Sequence, residues 1–306
     1  MSTFLALVQA AANEIGIPEP SQVIGAADDQ SKQLLALSNR EGKEFSQLAN
    51  KDGGWQKLHK EYTFTTTGYS TTGTVVSGSA VITAIPSTTG YTVGMIVSGT
   101  GIATNVAILT VDSATQVTCD TNATASGTAV SLVFGVNNYA LPSDLEYFVE
   151  QTFWDKSYRW QLLGPIEAQQ KQILKYGITA LGPRRQFWIR NNRMYLSPTP
   201  SNLTDIIAYD YFSNSWCQSS GGTAQTAWTA DTDTYLLDED CFVLGLKWRF
   251  LRAKGLDYAE EHETYMKAVT RIMARDGSSH DLSLNAQGMG LGLLSTANIP
   301  NTSYGQ

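Results

Sequence analysis

Charged side chains are scarce in this chain of 306 residues. Asp, Glu, Lys and Arg make up 16% of the sequence, whereas roughly 25% is typical of soluble domains. The balance is acidic, with a formal net charge of −7. This argues against tight nucleic-acid binding, because neutralisation of phosphates by Lys and Arg supplies much of that affinity. The acidic charge is still compatible with DNA that passes the protein without binding tightly. The low charge density also suggests that other subunits cover part of the surface.

Cysteine and histidine are also rare. The chain has three of each: Cys119, Cys217, Cys241, His59, His262 and His280. An odd, scattered set of cysteines without CxxC spacing indicates neither a disulfide framework nor a metal site, and it favours a reducing compartment. The run EEHET around His262 lacks the second histidine of HExxH, so no metal ligand is predicted there.

Several segments that would indicate other classes are missing. The first twenty residues have no basic region and reach an acid at Glu14, so no signal peptide is predicted. No run of about 18 apolar residues exists, and no membrane association is expected. There is no GxSxG elbow, and GMGLGLL (288–294) does not join a strand to a helix. A carboxylate pair for glycoside hydrolysis stays open, but no acid is singled out. We therefore predict a protein that is not an enzyme and has no cofactor.

The acidic run from Asp231 to Asp240 raises the question of calcium. It lacks the glycine that a calcium loop needs at its sharp turn. Acids directly before an apolar helical pattern are better explained as the N-cap of that helix.

Periodicity predicts a mixed α and β chain. The predicted elements are, in order, a helix over 3–15, a helix over 28–50, a helix that begins at Ser143 with a capping box to Glu146, a short helix over 164–177, a hairpin over 185–200 that turns at Asn191 and Asn192, a strand over 205–216 that could pair with the hairpin, an amphipathic helix over 237–255 and a last helix over 256–277.

The middle of the chain has a different composition. Between Gly78 and Gly135 the only charged residues are Asp112 and Asp120, and short β-branched runs alternate with glycines. This pattern predicts a small all-β sandwich or barrel inserted at 66–135. The flanking parts, 1–65 and 136–276, then form one core, and 277–306 form an extended apolar tail that packs onto something else.

One cluster combines basic and aromatic side chains: Arg184, Arg185, Trp188, Arg190 and Arg193. Such a cluster could stack on single-stranded nucleic acid. We favour a β-hairpin with an aromatic core face and arginines on the other face, because arginine and aromatics are also enriched at subunit interfaces.

The order of these elements resembles the head-to-tail adaptor proteins of tailed bacteriophages, of the podophage adaptor and tail tubular protein A kind. The residues that carry the resemblance are YALPSDL (139–145), MYLSPTP (194–200), DYFSN (210–214) and the paired last helices (237–269). It covers roughly 1–65 and 136–276 and implies an α+β fold, a helical-bundle core with a β-hairpin or small sheet. The insert resembles the Ig-like β modules of phage structural proteins, which implies an Ig-like sandwich.

The resemblance implies a structural role in the virion neck. Twelve copies would form a ring that binds the portal protein, receives the tail nozzle or tube protein and lets genomic DNA pass non-specifically through its centre. The tail residues expected to contact the portal or a neighbouring subunit are Leu282, Leu284, Met289, Leu291, Leu294, Ile299 and Tyr304. The alternative is a virion-associated glycan-binding or cell-wall-degrading protein that uses the insert. The aromatics of the insert, Tyr69, Tyr91 and Phe134, are all expected at core or edge positions.

Overall fold

The computed structural model of the chain describes residues 2–48, 54–176, 184–200 and 203–276. The predicted helical-bundle core is wrong, because the chain is a sheet-rich α+β protein, 28% helical and 31% strand, with several antiparallel sheets. The helices are α1 Phe4–Ile15, α2 Asp29–Ser46, α3 Ala168–Tyr176, α4 Glu239–Lys254 and α5 Ala259–Asp276. The strands are β1 His59–Thr65, β2 Gly68–Val75, β3 Val81–Ile82, β4 Ile96–Gly99, β5 Val106–Ser113, β6 Gln116–Cys119, β7 Gly127–Gly135, β8 Asn138–Ala140, β9 Leu145–Phe148, β10 Trp154–Asp155, β11 Trp160–Gln161, β12 Gln186–Arg190, β13 Arg193–Ser197, β14 Ile206–Ser213, β15 Cys217–Gln218, β16 Ala224–Gln225 and β17 Thr234–Tyr235.

Three of the helices begin at side-chain caps that the sequence contains. The oxygens of Thr3, Asp28 and Asp238 accept hydrogen bonds from backbone N–H groups in the first turns of α1, α2 and α4. Gly16 and Gly255 end α1 and α4 in the left-handed region, with φ of 80° and 71°, which glycine adopts without steric cost. These helices therefore lie within a few residues of their predicted bounds.

Helix α4 is buried on most of its surface rather than amphipathic as predicted. It packs against α1, α2 and α5, and its buried residues run through Phe242, Leu246 and Phe250 without a polar face. The same apolar cluster includes Trp216 and Tyr235 from the small sheet β16-β15-β17. The four longer helices thus share a core with strands.

The helix predicted to begin at Ser143 does not form. Residues 145–148 are strand β9, which pairs with β14, and residues 154–161 form the antiparallel pair β10–β11. Asp144 does not cap a helix: its carboxylate accepts hydrogen bonds from Lys60, Tyr211 and Ser213. Burial raises the pKa of Asp144, but these donors outweigh it and hold that pKa below its usual value. The segment with the capping-box pattern therefore forms a strand that pairs with β14 instead of a helix.

The insert is all β, but it is not the expected Ig-like sandwich. It is one antiparallel six-stranded sheet in the order β2-β7-β4-β5-β6-β3. Thr74 and Thr83 bridge β2 to the segment after β3, so the sheet closes on itself. Its apolar cluster draws its buried residues from 75–134 alone. Gly68 and Gly135 are register partners, so the two ends of the insert leave the closed sheet side by side.

The hairpin is confirmed, with different partners. β12 and β13 pair, and Asn191 and Asn192 turn with φ of 49° and 54°, as a type I′ turn requires. The third strand of that sheet is β8, whereas β14 pairs with β1, β9 and β10. The expected pairing of the 205–216 strand with the hairpin is therefore wrong.

Candidate interaction surfaces

Arg185 lies inside the chain, although it was expected at a subunit interface. The residue is 9% exposed, and its guanidinium donates to the carboxylates of Asp155 and Asp205, which are 3% and 0% exposed. Asp205 also bonds through its backbone to Thr66, at the entrance to the insert. Arg185 therefore ties together the hairpin, β10 and the root of the insert, and it is not available to a partner.

An exposed aromatic pair lies directly beside this cluster. Tyr158 and Trp160 are 46% and 40% exposed, and their rings stack with centroids 5.8 Å apart. Lys156 and Arg159, from the same turn between β10 and β11, are also exposed. We call these four residues the hairpin surface; it lies at the β10–β11 turn and not on the β12–β13 hairpin. Arg185 lies 5.4 Å below the Tyr158 ring centroid, and its buried ion pairs hold the base of this surface in place.

A second exposed apolar surface lies around the link between α4 and α5. Leu256, Tyr258 and Met266 are 55%, 39% and 45% exposed. Leu256 and Tyr258 lie in the link between α4 and α5, and Met266 lies on α5. We call these three residues the corner surface. It belongs to the unit built from α4 and α5, whereas the hairpin surface belongs to the β10–β14 sheet.

Two of the remaining predicted residues, Trp188 and Arg190, line a cavity between the insert and the hairpin, which we call the crevice. It has a volume of about 220 Å³, and Trp188, Arg190, Tyr195 and Lys171 contribute to its wall. Trp188 and Tyr195 are register partners whose rings lie 7° from parallel with centroids 5.5 Å apart. The Lys171 ammonium lies 5.4 Å from the Trp188 ring centroid.

The hairpin has two faces of different character. Phe187, Met194 and Leu196 are buried in the core, whereas Trp188 and Arg190 lie on the opposite face. Arg190 and Arg193 are exposed as expected, whereas Arg185 is buried and Trp188 lies on the arginine side rather than on the core face. Arg193 is exposed and donates to Asn138. Arg184 is exposed just before β12.

Within the described residues, no group of three or more His, Cys, Asp or Glu is placed to hold a metal ion. The acids between Asp231 and Asp240 serve the chain itself. Asp231 accepts from the backbone N–H groups of Val23 and Ile24, Asp233 accepts from residues 229 and 230, and Asp238 caps α4 as predicted.

The three thiols are buried and free. Burial raises the pKa of Cys119 to about 11, and the negative charges of Asp120 and Asp112 contribute to this rise. It raises the pKa of Cys217 and Cys241 to about 12. A thiol with such a pKa is protonated and unreactive at neutral pH.

The tail residues expected to bind the portal or a neighbouring subunit, Leu282 to Tyr304, lie outside the described residues. Prediction from the sequence did not name the residues of the hairpin surface. The signal was present in DKSYRW (155–160), where basic and aromatic residues alternate, but the helix predicted for that stretch obscured it. It also missed Lys171, because a lysine on a short helix carries no motif.

No protein-family model matches the chain, and a search of curated proteins finds no match. None of the helices in the described part of the chain is long and apolar enough to cross a membrane.

Proposed function

We propose that the protein is a structural component of a tailed-phage virion, a ring-forming adaptor at the head-to-tail junction. In this proposal the ring joins the portal protein to the tail nozzle or tube protein. Genomic DNA passes through its centre without being read, and the chain performs no chemistry of its own.

The observation that carries the proposal is the open aromatic pair of the hairpin surface. Two large rings exposed by two-fifths or more lie side by side there, with a lysine and an arginine in the same turn. Aromatics and arginine are the residues most enriched at protein interfaces. The buried Arg185 cluster holds this turn rigid, so little order would be lost on binding.

A ring further needs two different contact surfaces on each copy. In a head-to-tail arrangement one patch meets a different patch of the next subunit, and the chain closes when the rotation permits. The hairpin surface and the corner surface are such a pair: both expose apolar side chains, and they belong to different units of the fold. We therefore assign the subunit contact to these two surfaces.

The charge of the chain agrees with passage of DNA. A net charge of −7 repels phosphates over the Debye length of roughly 10 Å, so DNA inside an acidic ring slides rather than sticks. Contact with the portal through the leucine-rich tail, 277–306, stays a prediction from the sequence.

The test is the mass of the protein alone and with purified portal protein. Twelve copies of a 33.3-kDa chain give a ring of about 400 kDa, which mass photometry resolves easily from a monomer. The double variant Tyr158→Ser/Trp160→Ser removes the apolar part of the hairpin surface and replaces no buried residue. We expect it to stay monomeric in the presence of portal protein.

The matched control is Val93→Ser/Leu109→Ser, which removes two apolar side chains from the insert that are even more exposed, at 65% and 55%. It should assemble like the unmodified chain. A chain that stays monomeric with portal protein, or a Tyr158/Trp160 variant that still forms the complex, would contradict the assignment.

A further inference from the structure

The crevice between the insert and the hairpin has a composition that subunit assembly does not explain. Its wall combines an aromatic pair with two cations, Lys171 and Arg190, and no Asp or Glu contributes to it. This is unusual in a chain with 28 acidic and 21 basic residues. The crevice is also formed within one chain, by β4, β5, α3 and the β12–β13 hairpin, so it exists before any ring does.

Neither cation meets a carboxylate in the part of the chain that the structure describes. Among the described residues, neither Lys171 nor Arg190 takes part in an ion pair. By contrast, two cations of the helical unit are paired with acids. Arg249 forms ion pairs with Glu41 and Glu44, and Lys247 forms ion pairs with Glu14 and Glu261. Two uncompensated cations on one small cavity favour an anionic group as its occupant.

The aromatic wall requires more than a bare anion. Trp188 and Tyr195 present a flat apolar surface, and the Nε1–H group of Trp188 is buried without a hydrogen-bond partner within the described structure. Because this nitrogen is buried, it is closed to the cavity, and the wall offers a ligand the apolar rings rather than this donor. A phosphate or sulfate ion would leave this face uncovered.

Neutral polar side chains complete the wall. Asn105 and Asn137 contribute carboxamides, and Ser197 and Thr199 contribute hydroxyls. These groups both donate and accept, which suits hydroxyl groups on a ligand. A volume of about 220 Å³ is below the roughly 300–1,000 Å³ of sites for drug-sized ligands. It accommodates one six-membered ring with its substituents and is too small for a whole nucleotide.

We propose that the crevice binds a carboxylate-bearing pyranose, as in a uronic acid unit of an acidic polysaccharide. The C–H face of the sugar packs on Trp188 and Tyr195, the carboxylate lies between Lys171 and Arg190, and the hydroxyls exchange hydrogen bonds with the two asparagines. This differs from a glycan site on the insert alone. Tyr91 and Phe134 are buried in the insert core, and the Tyr69 ring packs against Tyr91 at a tilt of 42°.

The test is a titration of the full chain with sodium glucuronate, followed by saturation-transfer NMR of the sugar protons. Glucose serves as the neutral sugar and acetate as the bare carboxylate. We expect saturable binding of glucuronate with a dissociation constant of about 1 mM, the order set by a ligand of this size, and at least tenfold weaker binding of glucose and acetate.

The variant Lys171→Gln should weaken glucuronate binding about tenfold, which is the effect of losing one charge-assisted hydrogen bond. The matched control is Lys267→Gln on α5, whose side chain is 75% exposed, and it should bind glucuronate unchanged. Arg190→Gln provides a second loss variant at an exposed position.

Three results would overturn the proposal: no saturable glucuronate signal at ten times the expected constant, equal binding of glucose or acetate, or unchanged binding by both Lys171→Gln and Arg190→Gln. None of these results bears on the ring proposal, because assembly is measured by mass and uses other residues.

Discussion

Replacement of Gly245 by alanine sets two known effects against each other. In the interior of α4, alanine is favoured over glycine by about 1 kcal/mol of helix propensity. However, a Cβ atom at this position would lie 2.2 Å from the Cδ and Oε1 atoms of Glu41 on α2. Glu41 is 0% exposed, and its carboxylate accepts from Arg249 and, at 2.8 Å, from the Tyr265 hydroxyl. The side chain is flexible in principle but has nowhere to move.

The burial of this carboxylate decides whether Gly245→Ala raises or lowers the free energy of unfolding. Burial raises the pKa of Glu41, although the Arg249 charge and the hydrogen bonds from Arg249 and Tyr265 act in the opposite direction, so the ionised carboxylate depends on both partners. Separating a buried ion pair costs about 3–5 kcal/mol. Subtracting the propensity gain leaves a net destabilisation of about 2–4 kcal/mol.

Thermal unfolding followed by circular dichroism at a helical wavelength measures this change. In a chain of this size a loss of 2–4 kcal/mol lowers the melting temperature by about 3–6 °C. Thr264→Ala, at an exposed position of α5, is the control and should change stability by no more than a few tenths of a kcal/mol. A Gly245→Ala protein as stable as the original, or more stable, would refute the view that Glu41 is fixed between Arg249 and Tyr265.

Two further predictions test the interior. Arg185→Met leaves the buried carboxylates of Asp155 and Asp205 without the cation between them, and it should lower the free energy of unfolding, measured in urea, by about 3–5 kcal/mol. The control Arg193→Met, at an exposed site, should lower it by less than about 0.5 kcal/mol. Equal losses would show that the cluster does not act as an ion network. The thiols, with pKa values of about 11 for Cys119 and about 12 for Cys217 and Cys241, should stay unlabelled by iodoacetamide at pH 8 in the folded protein, and all three should react in denaturant; rapid labelling of the folded chain would contradict their burial.

The sequence predicted the elements whose signals are local. Caps at Thr3, Asp28 and Asp238 and the left-handed glycines after α1 and α4 act within one turn of chain, so they can be read without knowledge of the fold. The same holds for the Asn191–Asn192 turn. The insert was recognisable because its composition changes over nearly sixty residues, and its paired ends at Gly68 and Gly135 follow from being inserted in another unit.

The errors arose where distant residues decide. The stretch after Ser143 has a capping box and aromatic residues with ambiguous spacing, and β14 offered it a strand to pair with. Pairing satisfies the backbone groups of β14, which no local signal reveals. Similarly, α4 has acids at its start and bases at its end, but packing against three helices buries it on nearly all sides. The sequence pattern alone does not distinguish such a helix from an amphipathic one.

The cluster Arg184 to Arg193 shows why composition could not assign a site. The sequence presents it as one basic and aromatic motif with one role. The fold divides it: Arg185 enters a buried ion network, Trp188 and Arg190 line the crevice, and Arg184 and Arg193 are exposed. The alternation of side chains along β12 makes this division, since neighbouring residues of a strand point to opposite faces. Any partner that recognised the whole motif would have to unfold the hairpin. The two proposals therefore rest on separate residues: the ring contact on Tyr158 and Trp160 beside the ion network, and the sugar site on Trp188 and Tyr195 across the strand from it.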